Sequence, residues 1–187
     1  MKKLRILFVA SIILISACSS MTTAEKNNKR NELNTMVATT IEGLKEITPG
    51  LQKELDDSLA YGVANMKLTK VPIVGAGGGE GVLFIKENDQ RVYFTVGRFD
   101  LGGGWGVRSY KLLMIINSQE VLDKWKEGNW EFEAGAEASA GTASAQGSTS
   151  GLNTGFTVHI LSDGGASATV TARVIRMSVN TQLTGSN

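Results

Sequence analysis

The chain has 187 residues, with 19 basic and 18 acidic side chains and a net charge of +1. This length suffices for one domain with a buried core, and the near-neutral balance gives no electrostatic support for a nucleic-acid partner. Cys18 is the only cysteine, which excludes an internal disulfide, so the fold must rest on packing.

The N-terminal segment has the pattern of a secretory signal. Lys2, Lys3 and Arg5 precede an apolar run, Ile6 to Ile15, that only Ser11 interrupts. The run fits the about 7–15 apolar residues of a signal peptide and is shorter than the ~20 that a membrane-spanning helix needs. Residues 1–17 are therefore predicted to be removed. Their removal leaves 16 basic and 18 acidic side chains, a net charge of −2.

The signal ends at Ile15-Ser16-Ala17-Cys18, which resembles a bacterial lipobox. The resemblance implies that Cys18 is lipidated on its sulfur and becomes the first residue of a membrane-anchored envelope lipoprotein. Ser19 is similar to the residue that sorts lipoproteins to the outer membrane, which implies an outer-membrane protein facing the periplasm. An ordinary signal peptide with a chance cysteine, or an uncleaved anchor, is the alternative.

The segment after the cysteine divides into a tether and two helices. Residues 18–30 are predicted to be a flexible tether, because Ser19 to Arg30 is polar and lacks periodicity, and residues 31–187 are predicted to be one domain. Apolar residues at helical spacing predict a helix from Asn31 to Thr48. Pro49 then starts a second helix, which Gly62 is placed to end.

The remainder is predicted to be mostly β-structure. Short β-branched or aromatic runs predict strands, and the glycine-rich run Gly75 to Gly81 is interpreted as a tight turn or bulge. Ser118 to Lys126 predicts a short helix. Trp130 to Gly141 alternates between apolar and polar residues, which predicts a strand with its even-numbered residues buried. The other predicted strands are Val71–Val74, Gly81–Ile85, Arg91–Val96, Tyr110–Ile116, Phe156–Ile160 and Ala166–Val179, the last with a change of face at Val174-Ile175.

Together these elements predict an α+β fold. Two N-terminal helices precede a glycine-rich, mostly antiparallel β-structure, barrel- or sandwich-like, with one inserted short helix.

The sequence offers little for catalysis. His159 is the only histidine and lies on the strand face opposite Phe156, Val158 and Ile160, where a solvent-facing residue is expected. Gly75 to Gly81 lacks the Gly-Lys-Ser/Thr of a P-loop, and no His/Cys cluster offers a transition-metal site. We therefore expect a protein that is not an enzyme and that needs no cofactor and no metal.

Five blocks between Ala60 and about Thr184 carry a family resemblance. They are Ala60–Ala64, Val71–Val82, Gly104–Asn117, Val121–Trp125 and Gly128–Gly141. In order and spacing they resemble the SYLF domain, also called the Ysc84-type actin-binding domain. The resemblance implies a non-catalytic lipid-binding module. Eukaryotic members bind phosphoinositides and fungal members bind actin, but actin is not expected as a partner in a bacterial envelope, so only a general lipid affinity is implied here.

Five cations are predicted to meet phospholipid headgroups. Lys67 and Lys70 flank the first predicted strand, Arg98 and Arg108 bracket the second glycine-rich turn, and Lys111 follows. Scattered surface charge is the alternative interpretation of these residues. Two functions stay open: a phospholipid-binding domain, or an envelope scaffold or protein-interaction module in which only the lipid anchor contacts the membrane. The sequence does not identify a protein partner.

Overall fold

The structure is a computed structural model that describes residues 20–101, 104–127, 129–134, 138–139, 155–162, 167–169 and 172–185. Cys18 therefore lies outside the described residues. The described helices are α1 (Thr23–Ile47), α2 (Leu51–Asp57), α3 (Gln119–Lys126) and α4 (Thr181–Thr184). The described strands are β1 (Ala60–Lys70), β2 (Val74–Ile85), β3 (Gln90–Leu101), β4 (Gly104–Ile116), β5 (Asn129–Ala134), β6 (Ala138–Ser139), β7 (Phe156–Ser162), β8 (Ser167–Thr169) and β9 (Ala172–Val179).

The strands form an antiparallel sheet whose main body has the order β5-β9-β3-β2-β1-β4. Beyond β4, β7 pairs with Tyr110–Ile116, whereas β8 pairs with Gly104 and Trp105 and carries β6. Among the described ladders none pairs β6 with β5, so the strands that the structure describes form an open sheet. The α+β class, the two N-terminal helices, the antiparallel glycine-rich sheet and the inserted helix after Ser118 are confirmed.

Helix α1 begins at Thr23, well before the predicted Asn31. Its start is a capping box: the Thr22 N–H donates to Glu25 Oε2 at 2.7 Å, and the Glu25 N–H donates to Thr22 Oγ1 at 3.3 Å. Arg30 Nε then donates to the carbonyl oxygen of Leu183 at 2.8 Å. The prediction that the tether extends to Arg30 is therefore wrong for residues 23–30, which are helical. Lys29 contacts Glu80 of β2 and Arg30 contacts Leu183 of α4 through polar groups, and such contacts leave no apolar periodicity in the sequence.

The two faces of the sheet bury different sets of side chains. Helix α3 packs on the inner face, where the rings of Trp125 and Phe94 meet edge to face with centroids 5.0 Å apart. Helices α1 and α2 cover part of the outer face. Their buried leucines meet outward-facing residues of β1, β2 and β4; this outer core contains Leu33, Leu44, Leu51, Leu55, Val63, Val82, Tyr93, Leu113, Ile115 and Leu183.

The glycine run lies inside β2 and does not form the predicted turn or bulge. Gly75, Gly77, Gly79 and Gly81 alternate with other residues, so all four lie on the inner face. A Cβ atom at Gly77 would lie 2.5 Å from the carbonyl oxygen of Lys67, and one at Gly81 would lie 2.5 Å from Phe94 Cζ. Glycine is therefore required because β1 and β3 bring their backbone and side chains directly over β2.

Three further boundaries differ from the sequence prediction or fall partly outside the described residues. Val71–Ile73 is not a strand but the connection between β1 and β2, and Gly62 lies within β1 instead of ending a helix. The alternating segment from Trp130 forms β5 and β6, but its side chains and residues 135–137 and 140–141 are outside the described part of the chain. In the β5–β9 ladder Phe132 pairs with Ile175, which is buried. That the even-numbered residues of this strand are buried stays a prediction.

Replacement of Gly81 by alanine should destabilise the domain, whereas the same change at Gly97 should not. The Gly81 Cβ would collide with the β1 backbone and the Phe94 ring, which should cost about 3 kcal/mol. A Cβ at Gly97 would meet only the carbonyl oxygen of Arg176, at 4.0 Å, so Gly97→Ala should change the free energy of unfolding by less than about 0.5 kcal/mol. Urea denaturation measures both. Equal loss of stability in the two variants would contradict the packing described for β2.

Candidate functional site

The five predicted headgroup cations do not lie on one surface. Lys70, Arg98 and Arg108 are buried on the inner face, with exposed fractions of 3%, 5% and 8%. Lys67 and Lys111 lie on the outer face, because each is an odd number of residues along its strand from the buried cation on that strand. Lys67 is exposed and Lys111 is half-buried. Only these two of the five are therefore placed to meet a ligand on the outer face.

The inner cations belong to a buried polar cluster. Arg98 Nε and Nη2 donate to the two carboxylate oxygens of Asp100, each at 2.7 Å, and Nη1 donates to Tyr110 Oη at 2.6 Å. The Arg108 guanidinium lies over the Tyr110 ring, 4.9 Å from its centroid. Gly75 and Gly77 of β2 pair with Asp100 and Arg98, so the absence of their side chains gives this cluster its room.

Burial and ion pairing act in opposite directions on Arg98. Burial disfavours the charged guanidinium and lowers its pKa, but the hydrogen bond and charge of Asp100, together with Tyr110, outweigh burial and raise the pKa of Arg98 above its usual value. The pair therefore keeps its charged guanidinium at physiological pH. We assign the Arg98–Asp100 pair a structural role, because the Asp100 carboxylate is wholly buried.

One end of the sheet exposes a group of large apolar side chains, which we call the apolar end. They come from the β1–β2 connection, the start of β2, the end of β3 and the start of β4, and Trp105 and Ile73 are 77% and 72% exposed. A shallow cavity of about 360 Å³ lies between Val71–Pro72 and Trp105–Val107. An apolar group of this kind marks an interaction surface. The apolar end consists of Val71, Ile73, Val74, Phe99, Leu101, Trp105 and Val107.

The sequence around the apolar end carries positive charge. Residues 66–79 and 104–119 contain four cations and no acid, but Lys70 and Arg108 are buried on the inner face, as is Asp100 of β3. Lys67 and Lys111 are the cations that these segments place on the outer face. This local balance is opposite in sign to that of the chain after residue 17, which is slightly acidic. The apolar end is therefore suited to an anionic or zwitterionic partner.

A second concavity, which we call the helix-side groove, lies between α1 and the outer face of the sheet. Its volume is about 340 Å³. Lys29 Nζ lies 2.7 Å from Glu80 Oε2 and 3.4 Å from Glu32 Oε1, and the Glu80 hydrogen bond raises the pKa of Lys29 against the opposing effect of burial. Within the described part of the chain, the side chains of Lys67 and Asn65 form no hydrogen bond or ion pair. The groove is lined by Lys29, Glu32, Leu33, Met36, Asn65, Lys67, Gly78, Gly79 and Glu80.

Small side chains connect the helix-side groove with the apolar end. Thr69, Ala76, Gly78 and Gly97 share the outer face, which α1 does not cover there, and we call them the bare strip. Thr69, Ala76 and Gly97 are exposed and Gly78 is half-buried. Groove, bare strip and apolar end thus form one continuous surface on the outer face of β1, β2 and β3.

The outer face also holds the only histidine, away from this surface. His159 Nε2 lies 2.9 Å from Glu54 Oε2 of α2, and its side chain is only 10% exposed. The expectation of a solvent-facing histidine is therefore wrong, because α2 packs over this part of β7. In the ranges that the structure describes, no group of three or more His, Cys, Asp or Glu side chains could hold a metal ion.

None of the described helices is both long enough and apolar enough to cross a membrane.

Sequence reasoning missed the apolar end, although one signal was present. Val71 to Val74 was interpreted as a strand, but Pro72 cannot donate a hydrogen bond to a β-ladder and argues against a central strand there. A turn at Pro72 leaves Val71 and Ile73 without a core to enter. No comparable local signal exists for Trp105. Its exposure depends on which part of the sheet α1 covers.

Loss of the buried carboxylate should destabilise the domain strongly. Asp100→Asn removes the charge that compensates Arg98 in the core, and we expect a loss of about 3–5 kcal/mol. Asp57→Asn breaks the exposed ion pair with Lys53 and should leave the melting temperature unchanged. Thermal unfolding followed by circular dichroism compares the two variants. A melting temperature of Asp100→Asn equal to that of the unmodified protein would show that the pair does not stabilise the fold.

Comparison with known proteins leaves the family undetermined. No protein-family model matches the chain. No curated protein has a sequence that matches it significantly. The SYLF resemblance therefore stays a prediction.

Proposed function

We propose that the protein is a membrane-anchored envelope lipoprotein whose folded domain is a non-catalytic phospholipid-binding module. The observation that carries the proposal is the apolar end, a group of large, exposed apolar side chains on the outer face, with the outer-face cations Lys67 and Lys111 on the adjoining strands β1 and β4. Lipid at Cys18 supplies the anchor, and the apolar end supplies a second membrane contact. In this proposal the protein lies in the outer membrane and faces the periplasm, which rests on the lipobox and on Ser19.

The energetics of the apolar end suit reversible membrane contact. Full burial of a large aliphatic side chain contributes about 1.5–3 kcal/mol. Ile73, Trp105 and Val107 are each at least 66% exposed, so their insertion into a bilayer interface would contribute about 5 kcal/mol. A single acyl chain gives binding of the same order, which is marginal alone, and stable attachment takes two such signals. The apolar end therefore complements a lipid anchor and does not replace it.

Charge adds a smaller contribution to the same contact. Lys67 and Lys111 lie on the outer face beside the bare strip and are at least partly exposed. Exposed cations attract anionic lipid, and salt screens that attraction over about 8 Å at physiological ionic strength. Because apolar insertion is insensitive to salt, binding should weaken in high salt without disappearing.

The apolar end also fits the alternative function, a scaffold that binds another protein, since such a surface marks protein contacts as well as membrane contacts. The outer-face cations Lys67 and Lys111 on the adjoining strands favour lipid, and the SYLF resemblance implies lipid affinity. We therefore keep the protein-interaction module as the outcome of a failed lipid test.

Residues 20–187, which lack Cys18, should float with vesicles of phosphatidylethanolamine and phosphatidylglycerol. The double variant Ile73→Ser/Trp105→Ser should lose most of this binding, because it removes the two most exposed side chains of the apolar end. Leu59→Ser is the matched control: Leu59 is also a large exposed apolar residue, but it lies at the opposite end of β1. It should bind vesicles as the unmodified domain does.

Two results would overturn the proposal. A domain that stays soluble with every lipid mixture would favour the scaffold function. Equal loss of flotation in the double variant and in Leu59→Ser would mean that binding does not occur through the apolar end.

The anchor is tested separately in cells. Cys18→Ser should release the protein from the membrane fraction or stall its processing, because the lipobox cysteine is the predicted lipidation site. Mass spectrometry of the mature protein should detect acyl chains on Cys18. An unmodified Cys18 in the mature protein would contradict the proposed localisation.

A further inference from the structure

We infer that the helix-side groove binds the headgroup of one zwitterionic aminophospholipid, whose acyl chains lie along the bare strip towards the apolar end. The inference rests on the proposed function and names the lipid and its position. It concerns a single lipid held by the domain, whereas the proposed function concerns contact with a bilayer.

The groove offers groups for both charges of such a headgroup. Lys67 is exposed and, among the described residues, unpaired; beside it lies the Asn65 amide, also without a hydrogen-bond partner there. An ammonium and an amide N–H are donors that bind a phosphate oxygen. On the α1 side of the groove, the Glu32 side chain is 70% exposed and its Oε1 lies 3.4 Å from Lys29 Nζ. This long contact leaves the Glu32 carboxylate able to accept a hydrogen bond from a ligand ammonium.

The balance of charge selects a zwitterion. The groove contains two cations, Lys29 and Lys67, and two carboxylates, Glu32 and Glu80. Glu32 and Glu80 would repel a purely anionic headgroup, and Lys67 would repel a purely cationic ligand. A phosphoethanolamine group satisfies both sides, with its phosphate at Lys67 and its ammonium at Glu32.

The dimensions agree with a lipid that extends out of the groove. About 340 Å³ is at the small end of ligand pockets, so the groove holds a headgroup and not a whole phospholipid. From Gly78 to Val74 along β2 the distance is about 13 Å at ~3.3 Å per residue. Half of the hydrocarbon core of a bilayer is about 15 Å. The bare strip, which is free of large side chains, therefore has the length of an acyl chain.

The test uses the full lipidated chain in detergent and measures short-chain lipid binding by isothermal titration calorimetry. Dihexanoyl-phosphatidylethanolamine should bind with one lipid per chain and at least about fivefold tighter than dihexanoyl-phosphatidylglycerol. Lys67→Gln should weaken both lipids about tenfold, because both contain the phosphate. Glu32→Gln should weaken only the ethanolamine lipid and so remove the preference. Lys53→Gln, which changes an exposed lysine of α2, is the control and should have no effect.

A second variant tests the position of the chains. Ala76→Phe places a ring on the bare strip and should weaken dihexanoyl-phosphatidylethanolamine at least about fivefold. It should leave the weaker binding of glycerophosphoethanolamine, which has the headgroup but no acyl chains, unchanged. Equal loss for the two ligands would mean that the chains do not lie along the strip.

The outcomes separate this inference from the proposed function. If vesicle flotation depends on the apolar end while Lys67→Gln and Glu32→Gln leave short-chain lipid binding unchanged, the groove assignment is wrong and the membrane contact stands. If both lipids bind equally and Glu32→Gln has no effect, the inference that the groove selects a zwitterionic headgroup is wrong. If vesicles do not bind at all but the short-chain lipid binds with the expected dependence on Lys67, the proposed bilayer contact fails and the groove remains.

Discussion

The architecture depends on one steric constraint, which is that β2 carries no side chain on its inner face from Gly75 to Gly81. Because this row is empty, Leu68 and Met66 of β1 and Arg98 and Phe94 of β3 can approach one another above the β2 backbone. The Arg98–Asp100 ion pair and the Tyr110 ring occupy the space above this empty row. Arg98 donates hydrogen bonds to Asp100 and to Tyr110, which pairs the buried charges and polar groups.

Because successive side chains of a β-strand point to opposite faces, the buried cations and the outward-facing cations lie on opposite sides of the sheet. Inward positions of β1, β3 and β4 hold Lys70, Arg98 and Arg108 in the interior, whereas Lys67 and Lys111 face outward. On the outer face, α1 covers only the part of the sheet near Val63 and Val82. The remaining outer surface passes from charged side chains to small ones and then to large apolar ones, which is the order of chemical character in a phospholipid itself.

The sequence predicted those features whose causes are local. The apolar stripe of α1 and the N-cap position of Ser118 before α3 depend on neighbouring residues, and both helices are predictable from the sequence, although the Ser118 side chain makes no capping hydrogen bond. The capping box at Thr22 is an equally local signal, which the sequence analysis does not use. The role of Gly77 could not be read locally, because the atoms that exclude a side chain there belong to Lys67 and Leu68 on another strand. For the same reason Arg98 was placed at the surface: its partner Tyr110 becomes a neighbour only through the order of strands in the sheet.

The two ends of the described chain meet, and this affects when the fold can be completed. Arg30 binds the carbonyl oxygen of Leu183, and Tyr93 exchanges hydrogen bonds with Thr184, while β9 fills the position beside β3. A chain that emerges from the ribosome with its N-terminus first exposes the edge of β3 until β9 has been synthesised. Pairings this distant in sequence form slowly. The domain therefore reaches its full set of contacts only after β9 and α4 have been synthesised.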